Sequence, residues 1–154
     1  MTDTRTRAQR TRIMSAVRTR NTGPELAVRR LLRAAGIRYR LHAVDLPGKP
    51  DIVLPARRKV ILVHGCFWHG HLCRYGHLPK SRLDYWAAKI SANRRRDVSN
   101  VRRLRRSGWS TIVVWQCELK DAKRAGRRLL AFVERSTERK RGDKRGKSNS
   151  TYRG

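Results

Sequence analysis

The chain has 154 residues, 38% of them hydrophobic, which fits one domain with a modest core. Lys and Arg number 39 against 11 Asp and Glu, a formal net charge of +28 that points to a polyanionic partner. Its longest apolar runs, Val60-Ile61-Leu62-Val63 and Ile112-Val113-Val114-Trp115, fall far short of the roughly 20 residues a membrane-spanning helix needs, and Met1 to Arg7 has no signal-peptide apolar core. An anionic membrane surface is then the main competitor to nucleic acid, and the expected compartment is the cytoplasm, at the nucleoid.

In chain order, residues from about 6 to 20 alternate Arg with small and apolar residues. They predict a short basic helix with Ile13, Met14 and Val17 on one face. Thr22-Gly23-Pro24-Glu25 has the form of a capping box with proline in the first turn. It opens a helix through Leu26, Val28, Leu31, Leu32 and Ala35 that stops at Gly36. Ile37 to Val44 reads as a strand, Leu46-Pro47-Gly48-Lys49-Pro50 as a turn and Asp51 to Leu54 as a short strand ended by Pro55. Lys59 to His64 is a third strand whose unbroken apolar centre predicts burial on both faces. After a loop to about Lys80, Ser81-Arg82-Leu83-Asp84 is expected to cap a long helix ending near Gly108, with Leu83, Trp86, Ile90, Val101 and Leu104 as its apolar stripe. A buried strand over Trp109 to Trp115 and a helix over about Asp121 to Glu134 complete an α/β body with one mixed sheet. The expected organisation is one domain over 1–134, with its core from about residue 22, and a basic disordered tail over 135–154. The tail carries eight Lys/Arg and two Asp/Glu, a net +6 that leaves +22 on the body.

The loop after the third strand is the densest chemical feature. Residues 64–73, His64-Gly65-Cys66-Phe67-Trp68-His69-Gly70-His71-Leu72-Cys73, hold three of the five histidines and two of the three cysteines. Sulfur and imidazole at short spacing suit zinc. With no export signal, three cysteines read as ligands rather than disulfides. Cys66, His71 and Cys73 are close in sequence, and Cys117, 44 residues further on, could fold back from a strand end to complete a Cys3His set. His64, His69 and His77 compete for the imidazole place, and the spacing is not that of a zinc finger. The bland alternative is three reduced cysteines among surface histidines.

Among the few carboxylates, Asp51 follows a proline at the start of a strand, where it is either a turn residue or a functional group. Glu25 serves the capping box, yet it shares a helical face with Val28, Leu32 and Ala35. Asp97 and Asn93 fall on the apolar stripe of the long helix, so Asp97 must find a partner, with Arg94, Arg95 and Arg96 the nearest in sequence. The sharper expectation is that Glu25, Asp51 and Asp97 converge on one pocket with His64 and His69. Carboxylates holding a hard cation such as Mg²⁺, beside a histidine, suit phosphodiester hydrolysis, and His69 is the preferred acid or base. Phe67 and Trp68 lie in a Gly-flanked polar loop where a core role is hard to assign, so an aromatic wedge into a base stack is expected. Core is the default for Trp86.

On these residues the chain resembles the very-short-patch repair (Vsr) endonucleases, which nick DNA at T:G mismatches. The resemblance runs from about Arg10 to Cys117. It rests on Thr22 and Glu25, Leu46 to Asp51, His64-Gly65-Cys66-Phe67-Trp68-His69, His71-Leu72-Cys73, Trp86, Lys89-Ile90, Asn93, Asp97, Gly108-Trp109, and Val114-Trp115 with Cys117. It implies a restriction-endonuclease-like core, a mixed sheet between helices, with a structural zinc loop. It also implies a Mg²⁺-dependent nick 5′ of the mismatched thymine in double-stranded DNA; one active site and one nick need only a monomer. Asp51 and the Val63 carbonyl would hold Mg²⁺, His69 would move the proton, and His64 and Glu25 would support it through water, with Asp97 behind. Cys66, His71, Cys73 and Cys117 would hold zinc. Phe67, Trp68 and Trp86 would wedge beside the mismatch, with Met14 on the minor-groove side and Asn93 also toward DNA.

Two departures from the family pattern stand out. Val63 stands where threonine is common, and Gly70 and Leu72 stand where histidines occur. A restriction-type nuclease without mismatch preference, or a zinc-bearing DNA binder without catalysis, are the alternatives. The tail lies outside the resemblance. Truncation after Glu134 is expected to flatten the salt dependence of DNA affinity, measured as the slope of log K against log salt.

Overall fold

The computed structural model describes residues 6–17 and 19–136, so most of the expected tail lies outside the described residues. Helix α1 spans Arg7–Ala16, shorter than the basic helix expected to reach residue 20. A reciprocal capping box starts it: Thr6 Oγ accepts the Gln9 N–H and the Gln9 side chain accepts the Thr6 N–H. No residue of α1 is buried, and Ile13 and Val17 are exposed.

Helix α2 spans Gly23–Ala34 and ends before Gly36, whose φ of +68° is the left-handed turn glycine provides. Thr22 caps it through the Glu25 N–H, as expected, but the box is not reciprocal. The Glu25 carboxylate instead accepts from the Asn21 N–H and the Thr22 hydroxyl, and its side chain is buried.

Four strands form one mixed sheet in the order β1-β2-β3-β4. They are β1 (Arg40–Leu41), β2 (Ile52–Leu54), β3 (Lys59–His64) and β4 (Ser110–Trp115). The first three are antiparallel, and β3 and β4 are parallel. Strand β1 is only two residues of the expected Ile37–Val44, because His42 turns the chain with φ +47°. Strand β3 is buried on both faces as its composition predicts. β4 is less buried than expected, with Ile112 and Val114 inward and its other residues half-covered.

The parallel step from β3 to β4 is made by α3 (Leu83–Arg106). Ser81 does not cap it. The cap position is Arg82, in a left-handed conformation with no side-chain cap, and Leu83 is exposed rather than in the stripe. α4 (Ala122–Glu134) is capped by Asp121, which accepts the Arg124 N–H.

Helices α2 and α4 cover one face of the sheet. There Val28, Leu32, Leu129 and Val133 pack on Ile52, Leu54, Ile61, Ile112 and Val114. Helix α3 covers the other, with Leu104 and the half-buried Val101 on Val53, Val60 and Leu62. The result is a helix–sheet–helix sandwich, with no helix among the described residues long and apolar enough to cross a membrane.

One buried cation ties the layers. Lys59 opens β3, is 2% exposed, and donates from Nζ to the carbonyls of Phe132 and Arg135 at the end of α4. Burial pushes its ammonium below the ordinary lysine value, so those carbonyls are essential company. Lys59→Met keeps the stem and strands both carbonyls. It is expected to cost about 1–3 kcal/mol, read from the midpoint of urea unfolding.

Candidate active site and metal centre

The β3–β4 register builds the first cluster. It sets His64 opposite Trp115, so Cys66 and Cys117 leave the same end of the sheet side by side. The loop after β3 folds back on itself through His69 N–H to Gly65 O, Gly70 N–H to Phe67 O and His71 N–H to Cys66 O. His71 stacks on Trp115 with ring centroids 4.3 Å apart, and its Nδ1 lies 3.5 Å from Cys117 Sγ. One donor atom from each of Cys66, His71, Cys73 and Cys117 lies within 4.8 Å of the others. Burial pushes the Cys66 thiol up to about 12, so a proton is hard to remove there unless a cation replaces it. Three thiols and one imidazole around one point fit zinc or another soft divalent ion. His64, His69 and His77, the competing imidazoles, are not in this set.

The same loop carries His69 to α3. Its Nδ1 is 2.6 Å from Asp97 Oδ2, which identifies the partner that the stripe carboxylate requires; the neighbouring arginines are not it. His64 stacks on His69 with centroids 3.8 Å apart and planes 5° from parallel. Burial, then the charge of His69, holds His64 down to about 4, so it is neutral at physiological pH. Asn93 Nδ2 donates to the Trp68 carbonyl at 2.9 Å, which fixes the loop on α3. The Asn93 amide expected to face DNA is therefore engaged within the protein.

Asp51 stands at the mouth of β2, where the turn before it is tightly built. Gly48 has φ +75°, and a methyl group there would stand 2.7 Å from the Asn100 side chain. Asp51 Oδ2 accepts the Val63 N–H at 2.8 Å across the β2–β3 edge. Burial raises its pKa to about 6, and Glu25 adds to the rise, while the Val63 N–H and His42 oppose it. Glu25, His42 and Asp51 form a second potential cation site. His64, His69 and Asp97 form a third.

The expected convergence is thus divided. A cavity of about 520 Å³ is lined by Glu25, Asp51, Val63, Trp68 and His69, with Met14 at its side. Asp97 and His64 hold His69 from behind and do not line it. A neighbouring cavity of about 760 Å³ lies between α1 and a group of rings. There Phe67 meets Trp68 and Trp86 edge-on at 5.0 and 5.2 Å, and Tyr85 meets Trp86 at 5.2 Å. Trp86 is half-buried among these rings rather than in the core. Met14 and Val17 border both cavities.

Sequence reasoning assigns no role to His42, Tyr85 or Lys89. Lys89 Nζ sits 6.0 Å from the Trp68 ring centre and 5.8 Å from that of Tyr85. The spacing of Tyr85 and Lys89, i and i+4 on a helix beside Trp86, could have found that pair. His42 gave no local signal; only the hairpin that brings it back to Asp51 reveals it.

Comparison with known proteins agrees with this architecture. A family model described as "DNA mismatch endonuclease Vsr" matches residues 2–75. The chain is 55% identical over 136 residues to the type II nicking enzyme V.XorIIP of Xanthomonas oryzae pv. oryzae, covering 88% of this chain and all of that protein. It is 44% identical to the type II nicking enzyme V.NmeAIP of Neisseria meningitidis serogroup A over 86% of this chain and 95% of that one. It is 39% identical to the DNA mismatch endonuclease Vsr of Escherichia coli K12, over 78% of this chain and 77% of that one. With a restriction-endonuclease-like sheet, a Cys/His loop and a carboxylate–histidine cavity in place, the chain belongs to the Vsr family of DNA mismatch endonucleases.

Proposed function

We propose that the protein nicks one strand of duplex DNA 5′ of the thymine in a T:G mismatch, in the cytoplasm, using Mg²⁺ at Asp51 and zinc in the Cys/His loop. The observation that carries this is a single cavity lined by Asp51, Glu25, Val63 and His69, with Trp68 at its wall and basic protein around it. The donors suit each ion: carboxylate and carbonyl oxygens for Mg²⁺, thiolates and imidazole for zinc. Bound at Asp51 and the Val63 carbonyl, Mg²⁺ would polarise the scissile phosphate and acidify a water.

The residues do the rest. Asp97 binds His69 Nδ1, which leaves Nε2 as the ring atom free to take or give a proton at the phosphate. Neutral His64 backs the ring by stacking, and Glu25 presents a second carboxylate to hold water near it. Phe67, Trp68 and Trp86 form a ring group that enters the stack at the mismatch, a step already weakened by the wobble pair. Met14 faces that cavity from α1. One metal pocket and one nick require only a monomer.

Asp97→Asn tests the role of His69. The amide keeps the contact but not the charge that orients the imidazole, so single-turnover nicking is expected to fall about 10²-fold or more while mismatch affinity holds. The overall reading is tested on end-labelled duplexes carrying one T:G, T:A or C:G pair in Mg²⁺. A single cut 5′ of the mismatched thymine is expected, with matched duplexes slower by at least about two orders of magnitude. Equal cutting of all three would leave a nuclease without mismatch preference.

A further inference from the structure

We propose that His42 is a direct nitrogen ligand of the cation held by Asp51 and Glu25, so that this site takes Mn²⁺ or Co²⁺ in preference to Mg²⁺. The inference rests on the reading of Asp51 as a metal ligand; it adds His42 and turns Glu25, there a holder of water, into a second carboxylate ligand.

The first observation is an unsatisfied atom. His42 Nε2 is buried without a hydrogen-bond partner. The nearest carboxylate oxygen, Glu25 Oε2, is 3.9 Å away, beyond hydrogen-bond range but suited to two ligands sharing an ion. One donor atom each from Glu25, His42 and Asp51 lies within 4.8 Å of the others. A buried, unpartnered imidazole nitrogen within ligand-sharing distance of two carboxylates is the arrangement an ion completes.

The second observation is the backbone. His42 is held at φ +47°, a region a side-chain-bearing residue adopts at a cost. Its N–H donates to the Asp51 carbonyl at 3.0 Å, and the next N–H, of Ala43, donates to Pro50. The short β1–β2 hairpin thereby locks His42 beside Asp51, and the same bend ends β1 after two residues.

The chemistry then selects the ion. Mg²⁺ prefers oxygen ligands and retains its waters, whereas Mn²⁺ and Co²⁺ accept imidazole readily. A site of two carboxylates and one imidazole therefore leans toward the transition metals. This does not conflict with Mg²⁺-supported nicking, since Asp51 and a backbone carbonyl remain as oxygen donors.

The test is Mn²⁺ binding to the zinc-loaded full chain, followed by electron paramagnetic resonance. Wild-type protein is expected to show ¹⁴N coupling from one imidazole. H42Q is expected to lose that coupling and to bind Mn²⁺ about tenfold more weakly, with Mg²⁺ affinity changed less than about twofold. His69→Ala is expected to keep the coupling, since its ring belongs to the other cluster. Loss of the coupling in His69→Ala, or no ¹⁴N coupling in wild type while Asp51→Asn abolishes Mn²⁺ binding, overturns His42 alone. Full Mn²⁺ binding by Asp51→Asn overturns the Asp51 reading as well. If H42Q fails to fold, ¹⁵N-histidine labelling of folded wild type and His69→Ala separates the two outcomes: retained nitrogen coupling in His69→Ala supports His42, its loss rejects it.

Discussion

Asp51→Asn is expected to abolish nicking and, in the Mg²⁺-free state, to make the protein more stable. Both effects have one cause. Burial raises the Asp51 pKa from 3.8 to about 6, with Glu25 nearby adding to it. A carboxyl whose folded pKa exceeds its unfolded value stabilises the fold only while protonated. That contribution is whole below pH 3.8, declines between 3.8 and 6, and leaves the ionised group as a net penalty above pH 6. At pH 8 the amide removes the penalty, worth about 1–3 kcal/mol once the weaker acceptor for the Val63 N–H is allowed for. Zinc-loaded but Mg²⁺-free Asp51→Asn should thus melt several degrees above wild type at pH 8, and the gap should shrink toward pH 4. A divalent cation should reverse the order, because only the carboxylate binds it. Wild-type nicking should weaken as pH falls through 6, and more Mg²⁺ should move that midpoint to lower pH. Calorimetry with and without Mg²⁺, beside a nicking assay, checks both halves. Asp51→Asn melting below Mg²⁺-free wild type at pH 8 would contradict the burial argument.

What the sequence made legible follows from where its signals were local. The apolar run of β3, the Thr22 cap and the Gly36 stop are one-dimensional features, and the structure has each of them. The Cys66–His71–Cys73 grouping was equally visible, and the register of β3 on β4 brings Cys117 to it. Asp97 announced itself as a carboxylate on an apolar stripe, although its partner proved to be His69 on a loop far away in sequence. Other features depended on long-range geometry. His42 faces Asp51 only because a hairpin folds back, and the left-handed turn that truncates β1 has no signature in Arg40-Leu41-His42. Ser81 was a plausible cap by composition, but Arg82 adopts φ +53° and carries the chain into α3 without it. Trp86 obeyed its helical stripe, yet that stripe meets rings at its N-terminal end and the sheet only further along.

Cys117→Ser is expected to eliminate nicking although no thiol lines the cavity of Asp51 and His69. Cys117 is the only donor of its set supplied from the end of β4; the other three come from the loop after β3. Without it, the ion would hold that loop to itself and no longer to the sheet. Phe67, Trp68 and His69 all lie between Cys66 and His71, so the ring group and the residue proposed to move the proton share that anchor. The other ties are the Asn93 contact to the Trp68 carbonyl, the His69–Asp97 pair, and ring contacts of His69 with His64, His71 with Trp115, and Phe67 and Trp68 with Trp86, each weaker than a metal–thiolate bond. A shift of about 1 Å in such a group costs on the order of 10²-fold, and here metal pocket, base and wedge all lose register at once. Nicking should fall by at least about 10³-fold, with weaker discrimination of T:G from matched DNA. The sheet should survive, because its packing against α2 and α4 involves no loop residue. Far-ultraviolet circular dichroism should therefore stay near wild type while bound zinc falls below one per chain by elemental analysis. Chelation of the wild-type protein should reproduce the defect, and added zinc should restore activity to the wild type and not to the variant. Full nicking by zinc-free protein would show that the loop needs no ion to hold its shape.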